Sequence, residues 1–284
     1  MKTYQDLLAL GENEAERARF ILDAIHEHKA SEEYNIAADA ELYYKGLNPT
    51  IMNFQKFVYN QFGQKVPDIW AANNKIASKW YPFFITQAVQ YLLGNGVTFT
   101  NDETKEKLGK NFDKRVEEAL TAALNGSVSF GFYNNGTVNV FALTEFVPLY
   151  DEENGALRAG IRFWQIADNK PLRVTLYEED GYTEYTKKDS ESDLTALAEK
   201  RPYIEIAKES QIDGVQVYGG ENYSTFPIVP LWSINKLSCL AGNRGTLDAY
   251  DLMISGLINN VSDGEFIYWI LQNCGGMSTA DDAK

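Results

Sequence analysis

Few residues in this sequence combine a reactive side chain with a spacing that catalysis could use. The two histidines, His26 and His28, stand two positions apart in a predicted helix, so they point to different faces. Neither lies in a zinc-protease or catalytic-triad pattern, and both are expected on the surface. Paired carboxylates can hydrolyse glycosidic bonds, and the acidic triplets 151–153 and 178–180 offer such pairs. Because both triplets fall at predicted hairpin ends, solvated surface charge is the favoured interpretation.

Patterns that bind nucleotides or metals are also missing from the sequence. Gly94-x-Gly96 and Gly242-x-x-Gly245 lack the remainder of a dinucleotide fingerprint, and no phosphate-binding loop of the form Gly-x-x-x-x-Gly-Lys-Ser/Thr occurs. The sequence therefore predicts no catalytic residue, no cofactor and no metal site. A protein that is not an enzyme is favoured, with a carboxylate-based hydrolase as an alternative.

The balance of charge limits the partners that the chain can bind tightly. Its 284 residues carry 26 Lys and Arg against 40 Asp and Glu, a formal net charge of −14. Tight generic binding to a phosphate backbone requires clustered Lys and Arg, so nucleic acid is expected to pass nearby without adhering. No apolar run is long enough to predict a membrane span, and the first residues show no signal-peptide pattern. The 2 cysteines do not make a disulfide framework.

The first half of the chain has the periodicity of helices. Asn13 and Ser31 precede two amphipathic stretches and are candidate N-caps. Helices are predicted over 13–29, 31–46, 73–93 and 102–124, with a short strand at 97–100. Pro82 should kink or split the third helix.

Aromatic residues are concentrated in that third helix. They could form a platform on which nucleic acid bases stack, but the helix has no interleaved Arg and Lys, so core packing is expected. These residues are Trp80, Tyr81, Phe83, Phe84 and Tyr91.

The second half changes to the two-residue period of strands. Asn-Gly and Asp-Gly pairs separate the strands and supply the positive φ angles of tight hairpins. An antiparallel meander is therefore predicted, and helices followed by strands in blocks indicate the α+β class. A short helix is expected within 190–200. The candidate strands are 127–133, 138–143, 158–166, 173–178, 182–187 and 215–218, followed by the proline-bounded run 226–232.

A long amphipathic helix is predicted at 245–271, with no later segment for its apolar side to pack against. Such a helix requires further copies of the chain or further chain, although packing on the body of the same chain is the alternative. Its apolar stripe consists of Leu247, Tyr250, Ile254, Leu257, Ile258, Val261, Ile267, Ile270 and Leu271. The opposite side carries Asp248, Asp251, Ser255, Asn259 and Asp263.

Four segments of the chain carry a family resemblance. They are 41–46 (Glu-Leu-Tyr-Tyr-Lys-Gly), 73–76 continuing to 89–97, 160–164 (Gly-Ile-Arg-Phe-Trp), and 226–232 leading to 247–251. In this order they resemble the portal, or head-to-tail connector, proteins of long-tailed double-stranded-DNA phages. The resemblance extends over residues 33–276.

The resemblance implies a domain organisation. Residues 1–232 would form a portal wing of α+β fold, residues 233–276 a loop and the first stem helix, and residues 277–284 a disordered tail. Portal proteins continue into a clip, a second stem helix and a crown, so the chain is expected to be truncated before these parts.

The resemblance also implies a structural function. The chain is expected to form a ring, commonly of twelve subunits, that conducts DNA during packaging and ejection at the capsid vertex and head–tail connection. On the stem helix, the subunit interface is assigned to Leu247, Tyr250, Ile254, Leu257, Ile258 and Val261. The acidic residues assigned to the channel are Asp248, Asp251 and Asp263.

The expected partners follow from this function. They are further copies of the chain, the terminase motor, and capsid, scaffold and head-completion proteins, with double-stranded DNA passing through without tight binding and with no membrane. The expected locations are the virion and, during assembly, the host cytoplasm. Another virion structural or interaction protein is the alternative to a portal.

Overall fold

The computed structural model describes residues 2–11, 13–188, 194–212 and 215–264. By their contacts the residues divide into two units. The body unit comprises Met1–Leu47 and Lys79–Arg244, and the strap unit comprises Asn48–Ser78 and Gly245–Lys284. Helices and antiparallel sheets are both present, which confirms the α+β class expected from the sequence.

Helices predominate in the first half of the chain and strands in most of the second half. The helices are α1 (Tyr4–Ala9), α2 (Glu14–Ala30), α3 (Glu32–Tyr44), α4 (Pro49–Met52), α5 (Trp80–Leu93), α6 (Asp102–Lys107), α7 (Phe112–Gly126) and α8 (Arg244–Gly264), with a 3-10 turn at Leu143–Glu145. The strands are β1 (Phe57–Tyr59), β2 (Lys65–Pro67), β3 (Val128–Asn134), β4 (Thr137–Ala142), β5 (Phe146–Tyr150), β6 (Leu157–Trp164), β7 (Leu172–Glu178), β8 (Gly181–Lys187), β9 (Thr195–Ala196), β10 (Ile204–Ile212), β11 (Val215–Glu221) and β12 (Ile228–Trp232).

Side-chain caps explain where the first long helices begin. The Asn13 side chain accepts a hydrogen bond from the amide of Glu16 and caps α2. The Ser31 hydroxyl accepts a hydrogen bond from the Tyr34 amide at 3.2 Å and caps α3. These bonds satisfy amide donors that the start of a helix leaves open. Both predicted N-caps are confirmed.

The predicted helix at 73–93 is wrong in its first seven residues. Helix α5 begins at Trp80, so that Pro82 lies in its first turn, and residues 73–79 are not helical. A proline ring collides with the carbonyl four residues earlier, whereas the first turn of a helix tolerates it. The helix can therefore contain Pro82 in its first turn but cannot extend back through residues 73–79.

The predicted helix at 102–124 is divided into α6 and α7. Gly109 stands between them with φ +92°, and a side chain at this position would collide with the Gly136 carbonyl. The left-handed backbone and the close approach both favour glycine, and they interrupt the helix. Residues 97–100 form no strand, contrary to the expectation.

The predicted meander is confirmed as a five-stranded antiparallel sheet with the order β5-β6-β7-β8-β9. A three-stranded sheet places β3 between β12 and β4, which confirms the proline-bounded run as a strand. Strands β1, β2, β5 and β10 were not predicted. Residues 195–196 form β9, not part of the expected helix, and residues 189–193 lie outside the described residues.

Two clusters of buried side chains form the core of the body unit. In the first, Ile21 of α2 packs with Ile161 and Leu176 of the five-stranded sheet, and all three are fully buried. In the second, Phe146 contacts the rings of Phe130 and Phe141, with centroid separations of 4.4 and 5.7 Å. Three buried rings in contact fill a large part of this second cluster.

His28 is part of this interior, which corrects the expectation that both histidines lie on the surface. It is buried, and its Nε2–H donates a hydrogen bond to the Leu143 carbonyl at 2.8 Å. Burial lowers the pKa of the ring, because the charged form loses its hydration. His26 is exposed, as expected.

Candidate functional site

The polar side of α8 carries four hydrogen-bonding side chains, each four residues from the next. Asp251, Ser255, Asn259 and Asp263 therefore form one row along a helix face. The first three are at most 5% exposed. A buried row of polar side chains requires hydrogen-bond partners.

The partners of the row are backbone amides of residues 72–78, which we call the strap. The strap donates from every second residue, so that the row and the strap make a ladder of four rungs. The bonds are Ser78 N–H to Asp251 Oδ1 at 3.0 Å, Ile76 N–H to Ser255 Oγ at 3.0 Å, Asn74 N–H to Asn259 Oδ1 at 2.6 Å, and Ala72 N–H to Asp263 Oδ1 at 2.7 Å.

Two of the rungs also bind in the other direction. The Ser255 hydroxyl lies 3.4 Å from the Ile76 carbonyl, and the Asn259 Nδ2 group lies 3.4 Å from the Asn74 carbonyl. Serine and asparagine side chains can both donate and accept, whereas a carboxylate only accepts. Each of the two middle rungs therefore binds the amide and the carbonyl of its own strap residue, Ser255 those of Ile76 and Asn259 those of Asn74.

Further side chains bind the carboxylates at the two ends of the ladder. Asn48 Nδ2 donates to Asp251 Oδ2 and to Asp248 Oδ1, in each case at 2.9 Å. Lys56 Nζ lies 3.4 Å from Asp263 Oδ2. The hydrogen bond from the strap amide, followed by Lys56, lowers the pKa of Asp263, because both favour its charged form.

The opposite side of α8 exposes apolar residues. Tyr250, Leu257, Ile258 and Val261 of the predicted stripe are 38–64% exposed, while Leu247 and Ile254 are half-buried. Met253 is also exposed, at 62%. The remaining predicted members, Ile267, Ile270 and Leu271, lie outside the described residues. In this chain α8 is thus amphipathic with its polar side buried.

A second exposed apolar surface in the strap unit is the arm, which we define as residues 57–70. It contains the hairpin of β1 and β2, whose register pairs Val58 with Val66. The exposed aromatic side chains of the arm are Phe57, Tyr59, Phe62 and Trp70. The arm was not predicted from the sequence, where residues 57–70 show no amphipathic pattern of helix or strand.

The aromatic residues of α5 are mostly exposed, which corrects the expectation of core packing. Tyr81 is buried, whereas Trp80, Phe83, Phe84 and Tyr91 are exposed. Tyr81 lies on the side of α5 that also buries Ile85 and Val89, whereas the other four rings lie on its remaining sides. The rings of Trp80 and Phe84 stack on each other with centroids 5.9 Å apart.

The two acidic triplets approach each other around Arg158. The Arg158 side chain lies 2.6 Å from Glu179 Oε1 and 3.9 Å from Asp151 Oδ2. Glu178 is buried beside Arg17 and Lys200, so the expectation that it is solvated is wrong. A general acid requires a raised pKa, but hydrogen bonds to its carboxylate lower that of Asp151. This geometry therefore does not favour a hydrolase pair.

The described residues offer neither a cluster of metal ligands nor a membrane span. No group of three or more His, Cys, Asp or Glu side chains among them could hold a metal ion. None of the helices in this part of the chain is long and apolar enough to cross a membrane.

Of the two sides of the ladder, the helix side was predicted from the sequence and the strap was not. Asp251, Asp263 and the two residues between them were recognised as a polar side, and the channel assignment of the acidic residues stays a prediction. The strap was assigned to a helix. A signal was present, since four hydrogen-bonding residues at intervals of four resemble a binding row more than a solvated face.

Comparison with known proteins gives consistent matches. A family described as phage portal protein, SPP1 Gp6-like, matches residues 24–284. The portal protein of Bacillus phage SPP1 is 23% identical over 235 residues, which cover 77% of this chain and 45% of that protein. The portal protein of Clostridium phage phiCD119 is 26% identical over 243 residues, covering 75% of this chain and 50% of that protein. The chain spans about half the length of these curated relatives.

Proposed function

The chain belongs to the SPP1 Gp6-like family of phage portal proteins, as its sequence motifs predicted, and from this premise we propose that it assembles with copies of itself into the ring of a DNA conduit. The body unit would serve as the wing and α8 as the first stem helix. The conduit would act at the capsid vertex and head–tail connection, in DNA packaging and ejection.

One observation supports this proposal most directly. Helix α8 satisfies its polar side within the chain, through the ladder, and presents its apolar side to the surface. Contiguous exposed apolar surface marks interaction sites in folded proteins. We therefore propose that Leu247, Tyr250, Ile254, Leu257, Ile258 and Val261 contribute to the subunit interface.

The proposed role toward DNA rests on charge. A net charge of −14 repels a polyanion and would let DNA move through a channel without adhering. We propose that Asp248, Asp251 and Asp263 contribute to this field. Asp251 is buried in the single chain, so its contribution would act through the field rather than by contact.

The other roles carried by the proposal are structural. We propose that the chain catalyses no reaction, and that its partners are the terminase motor and capsid, scaffold and head-completion proteins. Its proposed locations are the virion and, during assembly, the host cytoplasm.

Sedimentation velocity over a range of concentrations tests the interface. The unmodified chain is expected to form species larger than the 32.0 kDa monomer, whereas Leu257→Ser combined with Val261→Ser is expected to remain monomeric. A matched control is Ile166→Ser combined with Leu197→Ser, which removes exposed apolar side chains from the body unit. Equal association of the stripe variant and the control would contradict the proposed interface.

A further inference from the structure

The arm is a short hairpin that exposes four aromatic side chains to solvent. Its four aromatic side chains are 48–91% exposed, the most exposed being Trp70. The hairpin has only three residue pairs, from Phe57 opposite Pro67 to Tyr59 opposite Lys65. An isolated two-stranded hairpin is marginally stable in water, so a surface that covers these side chains would stabilise it.

The base of the arm is nevertheless held against Asp263 of α8. Asp263 binds Lys56 just before the arm and the Ala72 amide just after it. The Asp68 amide donates to the Lys56 carbonyl at 2.9 Å and closes the base of the loop. Both ends of the arm are thus fixed to one carboxylate, and the arm presents its aromatic side chains from a defined base.

Ring symmetry provides a reason to pair the arm with a second surface. A closed ring of more than two identical chains requires two different complementary patches on each chain, because each contact is head-to-tail. The strap unit presents two exposed apolar patches, the arm and the stripe of Met253, Leu257 and Val261 on α8. One patch can therefore cover the other on the next chain.

We propose that the arm of one chain packs on the Met253–Leu257–Val261 stripe of the neighbouring chain. This pairing rests on the proposed ring. The chemistry of the patches is complementary, since aliphatic side chains pack on aromatic rings and a methionine sulfur makes favourable contacts with them.

The available area fits a specific contact at the lower limit of size. The four aromatic side chains, at about 150–250 Å² each, offer about 600 Å² at their observed exposure. The exposed aliphatic side chains Ile69 of the arm and Met253, Leu257 and Val261 of the stripe, at about 120 Å² for each fully exposed side chain, add about 300 Å², which brings the available surface to about 900 Å². A biological interface requires about this area, so loss of the large rings should weaken it strongly.

Photo-crosslinking within a mixture of labelled chains tests the contact. Phe62→p-benzoylphenylalanine is prepared in a chain with natural isotopes and mixed with an unmodified ¹⁵N-labelled chain, and crosslinked peptides are mapped by mass spectrometry after irradiation. Mixed-label peptides that join position 62 to residues 253–261 are expected. Phe83→p-benzoylphenylalanine, at an exposed ring of α5, is the control and should give no such peptides.

Association is measured in parallel on the triple variant Tyr59→Ser, Phe62→Ser and Trp70→Ser. Its self-association constant is expected to fall at least a hundredfold, while the ladder amides keep their protection from hydrogen exchange because the arm's base is unchanged.

Each other outcome overturns the inference in a distinguishable way. If chains associate through the stripe without the mixed-label crosslink, the arm contact is wrong and the proposed ring stands. Crosslinks within one chain would show that the arm covers its own chain, and arm-to-arm crosslinks would show a two-fold contact, so either result refutes the pairing. If the chain does not associate at any concentration, both the inference and the proposed self-assembly fail.

Discussion

Replacing Asp251 with alanine is expected to release the strap from α8. The change removes the acceptor for the Ser78 amide and for the Asn48 side chain, which lie 3.0 and 2.9 Å from the carboxylate. Hydrogen bonds to a charged group contribute about 1.5–3 kcal/mol each, and a loosened strap would recover part of this by hydration. A loss of about 3 kcal/mol in the free energy of local opening is therefore expected.

Hydrogen exchange measured by NMR gives the readout. In the unmodified chain, protection should alternate along the strap: the amides of Ala72, Asn74, Ile76 and Ser78 are bonded to α8 and should exchange slowly. The intervening amides make no hydrogen bond within the described residues and should exchange quickly. In Asp251→Ala, protection at Ser78 should fall about a hundredfold, because about 1.4 kcal/mol corresponds to a factor of ten.

Asn260→Ala is the matched control, since Asn260 is exposed on the same helix and belongs to neither the ladder nor the stripe. It should leave strap protection within a factor of about two. Amides of the body unit, such as Ile161 in β6, should be unchanged in both variants, which separates local opening from global unfolding. Unchanged protection at Ser78 in Asp251→Ala, or protection without alternation in the unmodified chain, would refute the ladder.

Three further predictions each concern a single residue. Protonation of Asp263 should release the Ala72 amide of the strap, which would then exchange faster. Because the pKa of Asp263 is lowered in the folded chain, the stability that this carboxylate contributes is complete above its ordinary pKa of 3.8 and is lost as pH falls through the lower folded value. Asp263→Asn should abolish this pH-dependent step in exchange. Gly160→Ala should lower the free energy of unfolding by about 1–3 kcal/mol, because a Cβ there overlaps the buried Phe146 ring, and thermal denaturation should show a lower melting temperature. Gly242→Ala, where a Cβ meets nothing within 4 Å, should leave the melting temperature unchanged. His28 should titrate below its ordinary pKa of 6.5 when followed by NMR. The melting temperature of the body unit should decrease as the pH is lowered from 7.5 to 5.5, because below pH 6.5 the unfolded chain binds a proton at His28 that the folded chain does not. A ring that titrates above 6.5 would contradict its burial.

The body unit was largely predictable because its signals are local. Asn13 and Ser31 act as caps within four residues, and the Asn135-Gly136 pair, with φ angles of +39° and +85°, forms the turn between β3 and β4. The positions that failed are those where a distant partner decides. His28 lies in a polar stretch of α2, and its partners in the interior include the Leu143 carbonyl, 115 residues away, and the Phe163 ring.

The strap shows why local pattern can mislead. Residues 73–79 continue the spacing of apolar residues found in the helix that follows, so the pattern predicts one helix. Pro82 is the residue that argues against a continuous helix. Their actual conformation is set by α8, between 173 and 191 residues away along the chain. The strap binds α8 through backbone amides, which almost every residue type has. The amino-acid sequence therefore does not show which segment donates to the row of side-chain acceptors on α8.

The geometry of the ladder also limits its length. Four residues of helix advance about 6.0 Å, whereas two extended residues advance about 6.6 Å. The mismatch accumulates to about 2 Å over the three intervals between Asp251 and Asp263, so a straight ladder cannot continue far beyond four rungs. The four rungs nevertheless occupy the polar side of most of α8. Any partner that associates with this helix must therefore use its apolar side, and the same ladder that holds the strap makes that side available.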